Sequence, residues 1–402
     1  MESVMITPYK HQEELSDDAL EIIKEHGIVY FAMEERTGKT IAAILVAEKS
    51  AATNILVVTK KKAERDWRNI FTNLPHKKKY LLTTYSQLHN LTPQVFDLVL
   101  LDESHNYISA FPKPGKVWKQ LKPICWNKPI VYISATPHAQ GLQMLYHQFA
   151  LSTWSPWSKH SNFYSWFQMY GKPFTVEING INVPQYTKLA YEKVVKDCVQ
   201  HLFITKTRKE LNFEFEPEDK LHYIELEENT KGVYNILVKD ELIELSVGTL
   251  VCDSKAKMRT SLHQLEGGTI KIDSDYFVLR NDEKIDYILK HFGDRQDLVI
   301  MYNFKAELTK LQQHFKQALI LQATSYAEGV DLSMYSDIVI YSQDYSTARH
   351  TQRRARQCNI KRDTPITVHY LIVKKGISEQ VYKTVSINKR NYVDSVYKRD
   401  LL

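Results

Sequence analysis

Apolar residues in the first 150 positions come in short continuous runs, separated by stretches whose apolar positions recur at helical intervals. The runs at 28–33, 54–59, 79–83, 96–101 and 130–134 read as strands, that at 96–101 apolar on both faces as strands inside a parallel sheet are, while 40–49 and 61–71 read as helices. A second alternation begins near residue 283, with helix 283–292, strand 298–302, helix 305–315, strands 318–321 and 338–342, helix 347–357 and strand 366–373. A closing helix is expected from 377 towards 397. Strands alternating with helices predict parallel sheets joined by crossover helices. The fold class expected is therefore α/β, with two parallel-sheet lobes in tandem, one over 1–150 and one over 281–402.

The stretch 151–280 breaks the alternation and is expected to be a mostly helical insertion and connector. It opens on an aromatic-rich segment containing Trp154, Trp157, Phe163, Tyr164, Trp166, Phe167 and Tyr170. Such rings can stack on bases, but their irregular spacing reads first as packing. A hairpin is expected over 176–183, because Asn179-Gly180 is a strong turn dipeptide between alternating residues. Helices are expected over 186–198 and 231–247.

Composition narrows the class. At 402 residues, 43% hydrophobic and 25% charged, the chain has the make-up of a globular protein of two or three domains, and no apolar run is long enough to span a bilayer. Residues 1–27 are charged and mixed, which predicts no secretory leader and a cytoplasmic protein. Cys125, Cys198, Cys252 and Cys358 are widely spaced, unlike a zinc site or a disulfide framework. The net charge of +6 mildly favours an anionic partner. Basic clusters stand at 60–62, at 77–79 and around Arg353, Arg354 and Arg356. Lys60 is singled out because it follows a parallel-type strand at the carboxyl edge, where open α/β sheets bind ligands.

The candidate chemistry begins at the first strand. It runs into Thr37-Gly38-Lys39-Thr40 and then directly into a helix, the layout of a phosphate-binding loop. Backbone N–H groups at the helix start would face phosphates, Lys39 would reach the outer ones and the Thr40 hydroxyl would hold Mg²⁺. The strand 96–101 ends in Asp102-Glu103-Ser104-His105. Asp102 would bind Mg²⁺, and Glu103 would orient and deprotonate the water that attacks a γ-phosphate.

Further segments turn two motifs into an ordered set: Val57 to Lys61 followed by Trp67, Thr83 to Ser86, Ser134-Ala135-Thr136-Pro137, Lys206 to Lys209, Val299 to Tyr302, Gly329-Val330-Asp331, Gln352 to Arg356 and Val368 to Glu379. In this order they resemble the motifs of superfamily 2 helicases, particularly the Swi/Snf-like branch of DNA-dependent ATPases, over most of the chain. The compact size looks like the minimal versions encoded by tailed bacteriophages and other viruses. The resemblance implies two RecA-like lobes, use of ATP and Mg²⁺, and DNA as partner, whether single-stranded, duplex or branched, with little sequence specificity.

Residue by residue, it implies that Gln12 reads the adenine edge and that Thr37, Gly38, Gly329 and Asp331 contribute to nucleotide binding. It assigns catalytic roles to Lys39, Glu103, Gln352 and Arg356, nucleic-acid contact to Thr59, Lys60, Thr84, Tyr85 and Thr324, and coupling of the two sites to Ser134 and Thr136. The chain departs from the pattern twice. Asn359 stands where a second arginine is usual, leaving Arg353, Lys361 or Arg362 to supply its charge, and Arg36 stands where most relatives have glycine.

The expected function is thus an ATP-dependent DNA helicase or translocase. The alternatives are an RNA helicase, or a DNA-binding module whose weakened ATPase works as a clamp. A metabolite kinase would leave the whole second lobe idle.

Overall fold

The computed structural model describes residues 5–91, 95–138, 141–178, 181–212, 217–323, 332, 335, 337–354, 367–388 and 391–393. The chain forms two compact units, dividing after Asn212.

The first unit opens with α1 (Lys10–His26), followed by β1 (Ile28–Phe31), α2 (Lys39–Lys49), β2 (Asn54–Thr59), α3 (Glu64–Asn73), β3 (Lys79–Thr84) and β4 (Leu98–Asp102). Next come α4 (His105–Ile108), α5 (Lys116–Cys125) and β5 (Ile130–Ile133). A hairpin of β6 (Phe174–Ile178) and β7 (Ile181–Gln185) precedes the two-residue strand β8 (Phe203–Ile204). The main sheet has the order β3-β2-β4-β5-β1-β8, and every pairing in it is parallel. Strands β1, β4 and β5 are buried at every position, because helices cover both faces of a parallel sheet. Their continuous apolar runs are the sequence form of that burial.

The second unit contains β9 (Glu218–Ile224), the hairpins β10 (Leu242–Leu245)/β11 (Gly248–Val251) and β12 (Thr269–Ile272)/β13 (Asp275–Val278), then β14 (Leu298–Tyr302), β15 (Leu319–Gln322), β16 (Asp337–Ile340) and β17 (Thr367–Val373). Its sheet has the order β15-β14-β16-β17-β9, again all parallel. Two parallel-sheet α/β lobes in tandem are what the alternation implies, and the resemblance implies their RecA-like class.

The middle of the chain differs from expectation. Residues 151–212 belong to the first unit, and β8 adds to its sheet beside β1. In the second unit, β9 pairs with β17 over seven residues, so the later part of the expected insertion forms that sheet's edge. An edge strand is covered on fewer sides, and Glu218–Ile224 carries polar residues where an interior strand would be apolar. The helix expected over 231–247 is Glu228–Asp240, and the remainder turns into β10. The helix expected over 186–198 shrinks to Glu192–Asp197. Hairpin β6/β7 pairs Val176 with Val183, with Asn179-Gly180 outside the described residues. The closing helix covers Ile377–Tyr382 and passes into a wider turn over Lys383–Ile387, while 391–393 is not helical. Among the described residues no helix is long and apolar enough to cross a membrane.

Candidate nucleotide site

The carboxyl ends of β2, β4, β5 and β1 carry most of the residues singled out in the first unit. Strand order brings them together, since β5 lies between β4 and β1, and β2 flanks β4 on the other side.

After β1 the chain turns through residues 32–38 into α2. Gly38 caps α2 with φ of +85°, a left-handed conformation that glycine adopts without strain. A Cβ built there would lie 1.9 Å from Gln12 Nε2, so the end of that side chain would have to shift. Arg36 also has positive φ, at 65°. Arg36, which stands where the resemblance implies glycine, keeps a backbone conformation that glycine favours. Thr37 is buried, and its hydroxyl donates to Glu34 O at 2.7 Å. Lys39 Nζ donates to Met33 O at 2.8 Å and to Glu34 O at 2.7 Å, so the loop wraps around the ammonium. Burial lowers the Lys39 pKa, while the charges of Glu35, Glu103 and Asp102 act the other way. That electrostatic coupling ties the loop lysine to the acidic pair on β4. Thr40 stands half-buried in the first turn of α2.

The first turn of α1 is seated on this loop. His11 Nε2 is 3.2 Å from Thr37 O. Gln12 is 2% exposed, and its Oε1 accepts from Tyr9 N at 2.9 Å. The carbonyl half of that amide caps its own helix and the Nε2 half lies against Gly38.

Asp102 is gripped from three elements. Its Oδ2 accepts from Thr59 Oγ1 at 2.6 Å and from Trp67 Nε1 at 3.0 Å, and its backbone carbonyl accepts from Tyr85 Oη at 2.8 Å. Glu103 follows with φ of 51°, and its N–H donates to Ile133 O at 2.8 Å, continuing the ladder with β5. Burial raises the Glu103 carboxyl to about 7; Asp102 pushes in the same direction, against Lys60 and Lys39. Its Oε2 is buried without a hydrogen-bond partner, 3.7 Å from His105 Nδ1.

His105 joins Glu103 to the end of β5. Ser134 Oγ lies 2.8 Å from His105 Nδ1 and Thr136 Oγ1 lies 3.3 Å from Nε2, while Thr136 N donates to Ser134 Oγ at 3.1 Å. The structure thus brings together Asp102, Glu103, Ser134 and Thr136 through His105, with Lys39 near enough to feel the charge of both carboxylates.

Several expected contacts are corrected. Thr59, Thr84 and Tyr85 are 0%, 1% and 2% exposed, so they do not form a nucleic-acid surface. The Thr59 and Tyr85 hydroxyls serve Asp102, and Thr84 Oγ1 bonds within its own turn to Ser86 and Gln87. Lys60 is half-buried and acts on the Glu103 carboxyl. In the second unit, Arg353 is 1% exposed on the helix Thr347–Arg354 and faces Asp344, with Nη1 at 3.4 Å from Oδ2. It therefore does not stand in as a projecting arginine. Arg354 is likewise tied, to Pro217 O and Asp219. Only the backbone of Gln352 is described, and Thr324, Gly329, Asp331, Arg356, Asn359, Lys361 and Arg362 lie outside the described residues.

One contact was not foreseen. Arg208, which follows β8, donates its N–H to Glu34 Oε2 at 2.7 Å, and its Nη1 reaches Glu35 O at 3.4 Å and Glu35 Oε2 at 3.9 Å. Its segment, Lys206 to Lys209, is among the motifs of the resemblance, but the pairing with two glutamates of the phosphate loop depends on β8 lying beside β1.

The residues present fit a magnesium nucleotide. Among the described residues no three His, Cys, Asp or Glu side chains form a metal cluster. A hydroxyl and a single carboxylate, Thr40 and Asp102, suit Mg²⁺, which keeps waters and phosphate oxygens in its shell. Next to Asp102 in the chain, Glu103 Oε2 is buried without a hydrogen-bond partner.

No protein-family model matches the chain, and no curated protein matches it. Among solved structures the chain is similar to the Sulfolobus solfataricus SWI2/SNF2 ATPase core domain, at 14% identity over 97% of this chain and 90% of that chain, with a TM-score of 0.44. The likeness is one of general architecture and says nothing of this chain's chemistry.

Proposed function

We propose that the protein is an ATP hydrolase stimulated by nucleic acid, a helicase or translocase that couples ATP turnover to movement on DNA or remodelling of it. The observation that carries this reading is the convergence of Lys39, Asp102 and Glu103 at one sheet edge, with the Glu103 carboxyl raised to about 7. A general base works best with a pKa near the operating pH.

Lys39 and the first N–H groups of α2 would bind the outer phosphates. Thr40 and Asp102 would hold Mg²⁺, and Thr59 and Trp67 fix the Asp102 carboxylate in one orientation. Glu103 would take the proton of the attacking water. Bound Mg²⁺ and ATP supply the phosphoryl group and the charge that polarises it. His105 then links Glu103 to Ser134 and Thr136, a path by which the state of the catalytic carboxyl reaches the end of β5. Gln352 and Arg356, to which the resemblance assigns catalytic roles, are proposed to contribute to turnover.

The test is steady-state phosphate release with single-stranded, duplex and forked DNA and with RNA, beside a strand-displacement assay. Wild-type turnover should rise with DNA, and Lys39→Ala or Glu103→Gln should abolish it. Turnover indifferent to every nucleic acid refutes the reading, and stimulation by RNA alone moves the substrate class to RNA. A second reading, an ATP-gated clamp, is favoured by the burial of Arg353 away from solvent. Steady-state phosphate release excludes it.

A further inference from the structure

Between Glu103 and Glu177 the chain contains no acidic residue at all. Those 73 residues, 104–176, hold seven lysines, no arginine and five of the chain's six tryptophans. Their charge of +7 exceeds the +6 of the whole chain, so everything else sums to −1. Such one-sided charge marks a polyanion-binding region when it is gathered in space.

The fold gathers it. Helix α5 and its flanks meet the segment 146–164 around a hollow of about 630 Å³, walled by aromatic rings and lined by no carboxylate. Most aromatics of the segment are core, as their irregular spacing implies: Trp157, Phe163 and Trp166 are buried. Two lining rings are not. Trp126 is 46% and Tyr164 43% exposed. Trp126 is braced by Lys122, whose Nζ lies 3.7 Å from the ring centroid and donates to Ala150 O. Trp118 donates its indole N–H to His147 O at 2.6 Å, which fixes the inner wall. Lys113 is exposed and lines the opening, and Lys116 and Lys119 stand exposed along α5. None of the lining residues belongs to the nucleotide site.

Exposed rings flanked by lysines suit a ligand that is planar and anionic by turns. Unpaired bases have free faces to stack, whereas those of a duplex are covered by their neighbours. We propose that this hollow is a second binding site, which takes the unpaired nucleotides of single-stranded nucleic acid, stacking bases on Trp126 and Tyr164 and pairing phosphates with the α5 lysines. It rests on the reading that the protein acts on nucleic acid, but not on ATP turnover.

The test is fluorescence anisotropy of the full chain with labelled oligothymidylate of 20 nucleotides, an abasic oligomer of the same length and a duplex. Trp126→Ala with Tyr164→Ala should weaken oligothymidylate binding by roughly tenfold or more. Lys116→Gln with Lys119→Gln should reduce the slope of log Kd against log salt by about 1.4, since each single-strand phosphate contact contributes about 0.7. Lys39→Ala should bind as the wild type does, and the abasic oligomer should bind wild type no better than it binds the ring variant. Ring and lysine variants that fold, by circular dichroism, and bind oligothymidylate unchanged overturn the site. So does abasic oligomer bound as tightly as oligothymidylate. Wild type that binds no nucleic acid overturns the functional reading as well, whereas variants that match a wild type that does bind overturn this inference alone.

Discussion

Replacing Glu103 by glutamine should stabilise the protein while removing its activity. The carboxyl is raised from 4.5 to about 7, chiefly by burial, so the folded state holds its proton more tightly than the unfolded chain does. A raised carboxyl gives stability that is fully present below the unfolded pKa and lost as pH rises through the folded one. At about 1.36 kcal/mol per unit, the shift makes the ionised group cost about 3 kcal/mol by pH 8 and about 1 kcal/mol at pH 5. Glutamine keeps the shape of the protonated acid and never ionises. Glu103→Gln should therefore exceed the wild type by about 3 kcal/mol at pH 8, or roughly 6–12 °C in melting temperature for a unit of this size. The gap should narrow by about 2 kcal/mol at pH 5. The assay is thermal melting of both proteins across pH 5–8 without nucleotide or magnesium, beside phosphate release with both. Titrations common to the two proteins cancel in the difference. A gap that does not grow with pH, or a variant no more stable than wild type at pH 8, refutes the raised carboxyl. Measurable turnover by the folded variant refutes its role as the base.

Three further substitutions probe the framework of the site. Thr59→Val removes a buried hydroxyl bonded to Asp102 and should cost about 1.5–3 kcal/mol in urea titration; no loss would mean that the hydroxyl faces outward after all. Gly38→Ala sets a Cβ against Gln12 at a left-handed backbone position and should cost about 1–3 kcal/mol and weaken binding of a fluorescent ATP analogue, whereas unchanged stability and affinity would contradict the close approach of α1 to the loop. Arg353→Met leaves buried Asp344 without its partner and should destabilise by about 3–5 kcal/mol. Loss of turnover at full stability would instead place Arg353 at the phosphates.

Much of the framework was legible in the residues. Strands β1, β4 and β5 are apolar at nearly every position because both faces of their sheet are covered, and a run such as Leu98 to Leu101 is read without knowing its neighbours. The loop at 37–40 and the Asp102-Glu103 pair could be singled out for a similar reason, since each is a local arrangement at the end of one strand. Edge strands lack that signature. β8 has only two residues and β9 is half polar, so the stretch that contains them read as an insertion.

What tertiary structure alone decided is which side chains face one another. The order β3-β2-β4-β5-β1 sets Thr59 beside Asp102, 43 residues away, and so turned an expected surface hydroxyl into an internal donor. Arg353 and Arg356 read alike on a helical wheel, yet only packing against Asp344 shows that the first is buried. The raised Glu103 carboxyl and the gathering of scattered lysines and tryptophans around one hollow have the same origin. Burial and charge proximity belong to a residue's surroundings, which the linear order of the chain does not contain.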